Sequence, residues 1–173
     1  TIFAGGSGNS RLIEILSKIK EVNLNIIVNC YDDGKSTGRL RYLIDGMLGP
    51  SDIRKNISSL LNVNDSYEEK LKYIIDYRFK KINLKNLIYV VKNNHSKLNE
   101  TINSLPKKIN ENIFYFLDIF QNNIKRSKIE FNFSLGNIIF SGIYLSTKNF
   151  NKSVEIFSLL FNKKKQVHNI TNG

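Results

Sequence analysis

The sequence predicts an α/β fold with a parallel sheet at its core, and two observations support this. Residues 1–4 form an apolar, strand-like segment that a glycine-rich turn at 5–10 joins to an amphipathic helix. The apolar run at 24–30 is typical of a buried strand. A strand, a helix and a second strand in this order form a βαβ unit, whose strands run parallel. We therefore expect a Rossmann-like sheet.

Apolar residues recur at helical spacing through most of the remaining chain. Two early helices each carry four apolar residues on one face, namely Leu12, Ile15, Leu16 and Ile19, and then Ile53, Ile57, Leu60 and Leu61. Residues 67–126 contain three further helical stretches and no strand pattern, whereas a strand-like segment returns at 166–170. We therefore expect one domain over residues 1–173, with a helical insertion at about 65–130. Because the chain begins at Thr1 and stops just after a strand, we expect an N-terminal part of a larger fold.

Composition and charge exclude several classes of protein. The single cysteine, Cys30, rules out a disulfide framework within the chain. No stretch approaches the roughly 18 apolar residues of a membrane span, and no signal peptide is visible, so we expect a cytoplasmic protein without a membrane partner. The net charge of +11 raises the alternative of a nucleic-acid-binding domain. We expect no nucleic-acid partner, because the lysines are scattered and no aromatic RNA-binding motif or zinc spacing accompanies them.

The turn after the first strand is the first candidate binding segment. Its residues are Gly5, Gly6, Ser7, Gly8, Asn9 and Ser10. Glycines let the backbone approach a ligand, and the N-terminus of the following helix offers unpaired N–H groups to an anion. The full dinucleotide fingerprint is absent, because Arg11 stands where its third glycine belongs. The turn therefore predicts phosphate binding without that fingerprint.

The loop after the second strand is the second candidate segment. Asp32 and Asp33 are suited to hold a metal ion or ribose hydroxyls, and the backbone N–H groups of 34–38 attract phosphate together with Lys35 and Arg39. The alternative is an ordinary loop in which an aspartate caps a helix and a glycine makes the turn. A P-loop is excluded, because Asn29 stands where that motif needs its first glycine.

Further candidates lie at the starts of two later helices. Ser51 and Asp52 open one helix, and Ser134 and Asn137 open another; each is either a helix cap or a donor at the mouth of the sheet. Arg54 lies near the positive end of its helix, where the dipole disfavours a cation. We therefore expect Arg54 to serve a ligand or a buried carboxylate.

The order of these motifs resembles that of a known family. The motifs are Gly5-Gly6-Ser7-Gly8, then Asp32-Asp33-Gly34-Lys35-Ser36-Thr37-Gly38-Arg39-Leu40-Arg41, Gly49-Pro50-Ser51-Asp52-Ile53-Arg54, Tyr77-Arg78-Phe79 and Ser134-Leu135-Gly136-Asn137. This succession resembles the 2-phospho-L-lactate transferase (CofD-like) superfamily, which includes the YvcK-type gluconeogenesis factors. The helical stretch around Asn94-His95-Ser96 is similar to the long-insert branch found in plants and some bacteria. Departures from the pattern are Lys35 and Ser51, where the family usually has glycine, and Phe133, where it often has histidine.

The resemblance implies a nucleotide diphosphate or nucleotide-sugar ligand at the carboxyl ends of the strands. In the transferase, a guanosine-diphosphate-activated phospholactate passes its phospholactyl group to a deazaflavin hydroxyl with Mg²⁺, whereas YvcK-type relatives are UDP-sugar binders without assigned catalysis. Mapped here, Asp32 and Asp33 would be the catalytic residues and would hold Mg²⁺. The remaining residues that would contact nucleotide or phosphate are Gly5, Gly6, Ser7, Gly8, Asn9, Ser10, Gly34, Ser36, Thr37, Arg39, Asp52, Arg54, Asn56, Ser134 and Asn137. A transferase and a nucleotide-sugar-binding regulator therefore stay open as functions, and either is compatible with a homodimer.

Overall fold

The structure is a computed structural model, and it describes residues 1–31, 34–80, 82–124, 130–161 and 166–171. Five strands and nine α-helices are found in these ranges, and a short 3₁₀ turn at Leu84–Asn86 precedes α5. The strands are β1 (Ile2–Ala4), β2 (Ile26–Val28), β3 (Ile82–Asn83), β4 (Glu130–Phe131) and β5 (Val167–Asn169). The helices are α1 (Ser10–Leu16), α2 (Lys35–Leu43), α3 (Ser51–Leu60), α4 (Ser66–Asp76), α5 (Leu87–Asn93), α6 (Ser96–Asn103), α7 (Lys107–Asn123), α8 (Leu135–Thr147) and α9 (Phe150–Phe161).

A parallel three-stranded sheet confirms the predicted Rossmann-like α/β class. The strand order is β1–β2–β5, and the three strands are in register along the row Phe3, Ile27 and His168. Helices α3 and α9 pack on the sheet, and α1 lies against α3. All three strands therefore end at the same edge, where the turn after β1 and the loop after β2 begin.

One face of the sheet is well covered and the other is not. Ile26 and Val28 are fully buried on the face that α3 covers, whereas Phe3 is 69% exposed on the opposite face. Helix α1 also leaves apolar side chains uncovered, since Leu12 and Ile15 are exposed, Ile13 is its buried residue and Ile19, predicted on the same face, lies beyond its end and is exposed. The spacing of apolar residues thus predicted a helix here, but it did not predict which side of α1 is buried.

The segment between α3 and α8 is mostly helical, as the spacing of apolar residues predicts. The expectation that it holds no strand is wrong in detail, because β3 lies inside it, after α4, and pairs antiparallel with β4, which lies near its C-terminal end. Two-residue strands carry too short a pattern to be detected from sequence. The insertion at about 65–130 stays a prediction, and β3 lies well inside its predicted bounds.

Helix α8 is the centre of the helical layer. Every residue from 135 to 144 is buried, in keeping with a helix that is apolar on all sides. It packs most extensively on α7, and a Cβ at Gly142 would lie 2.0 Å from the Phe116 carbonyl oxygen. The two helices therefore approach each other at a distance that only glycine permits. No helix in the described ranges is both long and apolar enough to cross a bilayer.

Candidate functional site

The first glycine turn leaves β1 and lies against the start of α3. The Asn56 side-chain Nδ2 donates to the Gly5 carbonyl oxygen at 3.1 Å and to the Asp52 carbonyl oxygen at 2.8 Å. A Cβ at Gly6 would lie 3.0 Å from Lys55 Nζ and 3.4 Å from an Asp52 carboxylate oxygen. The turn is therefore held by a buried amide and faces an acid–base pair, since Lys55 Nζ lies 3.1 Å from Asp52 Oδ1.

The polar side chains inside this turn support its own backbone. Ser10 Oγ donates to the Ser7 carbonyl oxygen at 2.8 Å, and Asn9 Nδ2 donates to the Phe3 carbonyl oxygen at 3.1 Å. A Cβ at Gly5 or Gly8 would meet no atom within 4 Å. These two glycines consequently face open space rather than neighbouring protein, which is the arrangement a backbone phosphate cradle requires.

A chain of buried hydroxyl and amide groups connects three helices at the same edge. Thr37 Oγ1 donates to Ser51 Oγ at 2.5 Å, and Asn137 Nδ2 donates to the same oxygen at 2.9 Å. The three residues lie in the first turns of α2, α3 and α8, respectively, and all are buried. These hydrogen bonds thus fix α2, the helix that follows the second candidate loop, against α3. Helix α3 also holds the first glycine turn.

The first turn of α8 has a second polar anchor. Ser134, fully buried at the N-cap, accepts from the Asn137 backbone N–H at 3.4 Å, so of its two predicted roles the structure shows the capping one. The Asn137 side-chain Oδ1 is buried without a hydrogen-bond partner among the described residues. An acceptor of this kind is left ready for a donor from outside the protein.

The N-terminus of α3 is uncapped. Pro50 occupies the N-cap position and has no side-chain oxygen to offer, and no side-chain cap bond is found there in the described part of the chain. The first N–H groups of a helix carry partial positive charge, so an uncapped start attracts an anion. Ser51 and Asp52, predicted as caps or donors, lie inside the first turn and do not cap this helix.

Arg54 pairs with a carboxylate, as one of its two predicted roles requires, but the side chain of that carboxylate, Asp76, is 37% exposed and not buried. The Arg54 guanidinium forms an ion pair with Asp76 on α4, which also interacts with Ser58 and Lys72. Burial lowers the pKa of Arg54, against the opposing field of Asp76. A Cβ at Gly136 would lie 2.9 Å from Arg54 Cδ, so α8 covers this arginine closely. Arg54 therefore joins α3 to α4, and contact with a ligand stays a prediction.

The loop after β2 is held at its described start. The Cys30 carbonyl oxygen accepts from the Gly49 N–H at 2.8 Å, and the Tyr31 carbonyl oxygen accepts from Arg41 at 3.4 Å. Burial, with a smaller effect of the Asp52 charge, raises the pKa of the Cys30 thiol to about 12. The thiol is therefore neutral and inert at ordinary pH.

The two predicted catalytic aspartates, Asp32 and Asp33, lie outside the described residues, as does the side chain of Ser36. Gly34 is the N-cap residue of α2, and Arg39 is exposed on that helix. Within the described ranges, no group of three or more His, Cys, Asp or Glu side chains is placed to hold a metal ion. The Asp52 carboxylate already pairs with Lys55, so the described residues do not form a Mg²⁺ site, and Mg²⁺ stays a prediction that rests on the two aspartates.

Two cavities open beside this edge. One, of about 280 Å³, lies at the start of α1 and is lined by Ser10, Arg11 and Lys72 among others. Another, of about 380 Å³, lies beside α2 and includes Gly38 and Arg41. Each cavity carries charges of both signs, because the first also includes Glu14, which pairs with Arg11, and the second also includes Asp45.

Sequence reasoning missed an aromatic cluster that joins two of the motifs. Tyr77 Oη and His95 Nδ1 lie 2.7 Å apart, and both rings pack edge-on against Phe79. The Phe79 N–H donates to the Phe133 carbonyl oxygen at 3.0 Å, and the Leu135 N–H donates to the Tyr77 carbonyl oxygen at 2.7 Å. The fourth and fifth motifs are thus paired through an antiparallel β-bridge, which positions the start of α8. No local pattern signals this pairing, because the two segments lie more than fifty residues apart.

Comparison with known proteins finds two relatives that are similar to part of this chain. A putative gluconeogenesis factor from Nostoc sp. is 40% identical over 80 residues, which is 46% of this chain and 16% of that protein. A gluconeogenesis factor from Listeria innocua is 36% identical over 72 residues, which is 42% of this chain and 22% of that protein. The matched part therefore spans less than a quarter of either relative.

A solved structure and a family model cover more of the chain. A UPF0052 family member from Bacillus halodurans has the same fold, with a TM-score of 0.59 at 23% identity, over 97% of this chain and 37% of that one. The chain thus corresponds to part of that neighbour's fold. The family model described as 2-phospho-L-lactate transferase CofD matches residues 1–173. Because this match extends over its whole length, the chain belongs to the CofD family.

Proposed function

We propose that this chain carries the nucleotide-diphosphate site of a CofD-like transferase. Its reaction would move a phospho-group of the 2-phospholactyl type from a nucleotide-activated donor to an acceptor hydroxyl. The observation that supports this best is the convergence of two loops on the first turns of α3. Asn56 bonds to the Gly5 carbonyl oxygen, and Ser51 bonds to Thr37 in the helix that follows the second loop.

The chemistry of this edge suits a diphosphate. The open backbone at Gly5 and Gly8 and the uncapped start of α3 favour negative charge, whereas the ammonium of Lys55 is paired with Asp52 and would have to exchange that partner for the ligand. Transfer of a phospho-group depends on positioning and on neutralisation of charge more than on a protein nucleophile. Asp32 and Asp33 would hold Mg²⁺, which would supply charge neutralisation at the diphosphate. The acceptor hydroxyl would lose its proton to solvent or to the leaving phosphate, and its oxygen would bond to the distal phosphorus. The bridging P–O bond would break, and a nucleoside monophosphate would leave with the bridging oxygen.

A second function uses the same site without turnover. Two curated relatives are called gluconeogenesis factors, one of them putatively, and this is the reason to propose a regulator as the second function. Its nucleotide-sugar ligand is what the family resemblance implies. The two functions predict the same binding edge but different products. A binding measurement therefore tests the site, and a product measurement separates the functions.

The binding test is a screen of GDP, UDP, ADP and UDP-sugars by thermal shift and calorimetry, with and without Mg²⁺. A ligand at about one hundred times its dissociation constant should stabilise the chain by about 2.7 kcal/mol. That corresponds to a rise in Tm of roughly 5 to 10 °C. Absence of a shift with every nucleotide would refute the proposed site.

A variant pair locates the binding at the first turn. Gly8→Asp introduces a carboxylate where a Cβ meets no atom, so it should weaken nucleotide binding at least about tenfold without unfolding the chain. Asn64→Asp adds the same charge at an exposed position beyond the far end of α3 and should leave affinity unchanged. Equal effects of the two variants would indicate a general charge effect instead.

The product test uses an activated donor with an acceptor hydroxyl and follows release of the nucleoside monophosphate. Asp33→Asn should abolish release while nucleotide binding persists, whereas Asp118→Asn on the exposed side of α7 should release product at the normal rate. Tight nucleotide-sugar binding without release by the unaltered chain would establish the regulator instead.

A further inference from the structure

An acid–base pair on α3 lies directly against the first glycine turn. Lys55 Nζ and Asp52 Oδ1 are 3.1 Å apart, on the same face of the helix because the residues are three apart. A Cβ at Gly6 would lie 3.0 Å from the same Nζ, so the ammonium group occupies the space beside the Gly6 backbone. The pair therefore borders the space in which the turn would hold a phosphate.

A neighbouring side chain fixes the turn against this pair. Asn56 Nδ2 donates to the carbonyl oxygens of Gly5 and Asp52, at 3.1 and 2.8 Å, and Asn56 is only 2% exposed. The backbone of the glycine turn and the first turns of α3 are thus joined by one buried amide. The fold therefore keeps the turn and the acid–base pair next to each other.

The two members of the pair differ in how freely they can move. The Asp52 side chain is 10% exposed, whereas that of Lys55 is 37% exposed. Asp52 also lies in the first turn of α3, where the helix dipole stabilises a carboxylate. A lysine carries its ammonium on a flexible four-carbon stem, with three donors that can rotate to a new acceptor. Lys55 is therefore the partner that can leave, and Asp52 is the one that stays.

A phosphate dianion is the ligand that can draw Lys55 away from Asp52. A terminal phosphate carries about two negative charges and three acceptor oxygens, whereas a carboxylate carries one charge. A monoanion such as acetate offers no more charge than the Asp52 carboxylate that it must replace. The exchange also leaves Asp52 without its partner inside the protein, which is costly. The pair therefore discriminates against monoanions.

We propose, building on the proposed function, that Lys55 binds a phosphate dianion of the nucleotide and that Asp52 pairs with Lys55 only while the site is empty. The step is an exchange of partners, in which the Lys55 ammonium leaves Asp52 Oδ1 and bonds to a phosphate oxygen beside Gly6. Because the Lys55–Asp52 pair must separate, Asp52 lowers the affinity for phosphate. Removal of a carboxylate from this site thus strengthens binding.

Calorimetry with inorganic pyrophosphate in EDTA tests the exchange. Lys55→Met keeps the aliphatic stem, removes the ammonium and should weaken binding at least about tenfold. Asp52→Asn should instead strengthen binding at least about threefold, because Lys55 no longer has to leave a carboxylate. Unchanged affinity in Lys55→Met overturns the proposal. Weaker binding in Asp52→Asn also overturns it, because that result would show that Asp52 itself contacts the ligand.

The double variant Asp52→Asn/Lys55→Met separates partner exchange from simple charge repulsion. Partner exchange predicts that Asp52→Asn strengthens binding more when Lys55 is present, because only then is there a pair to separate. Repulsion predicts an equal or larger effect in the Lys55→Met background, and that result overturns the proposal. As controls, Lys107→Met and Glu111→Gln change the same charges in an exposed pair on α7 and should leave affinity unchanged.

The outcomes also separate the role of Lys55 from the proposed function. Pyrophosphate binding that Lys55→Met leaves unchanged overturns the role of Lys55 alone, and so does equal affinity for acetate and pyrophosphate. Failure of the unaltered chain to bind pyrophosphate likewise overturns that role. If every nucleotide in the screen also fails to bind, the proposed function fails with it.

Discussion

Gly5 and Gly8 at the sheet edge face open space, whereas Gly136 and Gly142 in α8 lie against the backbone or side chains of neighbouring helices. A Cβ at either edge glycine meets no atom within 4 Å, but one at Gly136 would lie 2.6 Å from the Ile75 carbonyl oxygen. One residue type thus serves two purposes in this chain. At the edge it leaves room for a ligand, and in the helical layer it allows close packing.

The two regions also differ in how polar groups are used. In the helical layer, residues 135–144 of α8 are all buried, and a buried hydroxyl such as that of Ser141 bonds within its own helix, to the Asn137 carbonyl oxygen. At the edge, buried hydroxyl and amide groups of Thr37, Ser51 and Asn137 bond to one another across three helices. The edge is therefore a polar framework with an open side, and its rigidity depends on hydrogen bonds more than on close packing.

The largest effect should come from Gly142→Ala. The added Cβ would lie 2.0 Å from the Phe116 carbonyl oxygen, so α7 and α8 must separate, at a cost of more than about 3 kcal/mol of unfolding free energy. Gly8→Ala has no such clash, and its effect should be within about 1 kcal/mol of zero. Urea unfolding of both variants measures the difference, and equal destabilisation would remove the distinction between the two regions.

Asp76→Ala should have the next largest effect on the free energy of unfolding. It leaves the Arg54 guanidinium buried without its carboxylate, which typically costs about 3 kcal/mol. Asp118→Ala removes an exposed carboxylate from α7 and should change stability by less than about 0.5 kcal/mol. If the two alanine variants unfold at the same urea concentration, Arg54 does not need Asp76 in the folded chain.

Ser51→Ala tests the polar framework of the edge. Its loss leaves Thr37 Oγ1 and Asn137 Nδ2 buried without their shared partner, at a cost of about 1–3 kcal/mol. Ser59→Ala on the same helix loses only a bond to the Lys55 carbonyl oxygen, at a partly buried position, and should cost less. Chemical denaturation compares the two, and a larger effect at Ser59 would show that the framework contributes little.

The smallest effect concerns Cys30 and pH. An unfolded cysteine thiol ionises near its ordinary pKa of 9.0, whereas burial keeps the folded thiol protonated up to about 12. Below pH 9 both states keep the proton and stability does not change; above it the unfolded state releases its proton first, so stability falls as pH rises. The loss at pH 9.5, relative to a Cys30→Ala variant, should be less than about 1 kcal/mol. A stability difference that grows in favour of the unaltered chain above pH 9 would contradict the assigned burial.

Local patterns were sufficient for the parallel strands and for most of the helices, although β3, β4 and α6 were not predicted. The βαβ unit, the buried face of α3 around Ile53 and Ile57, and the strand at the end of the chain were all predicted from spacing, because each depends on residues close together in sequence. The succession of motifs likewise predicted the family. These properties follow from the periodicity and chemistry of short segments.

Contacts between distant segments were beyond such reasoning. Arg54 forms an ion pair with Asp76, and Tyr77 lies within hydrogen-bonding distance of His95. The motif at 77–79 pairs with the segment at 133–135. The buried side of α1 likewise depends on which elements pack against it. Each of these outcomes depends on how the chain crosses between layers, and a helix or strand pattern is the same whichever neighbour covers it. Only the tertiary structure determines these contacts, because segments distant in sequence become neighbours there and alternative partners are excluded by packing and by hydrogen bonding.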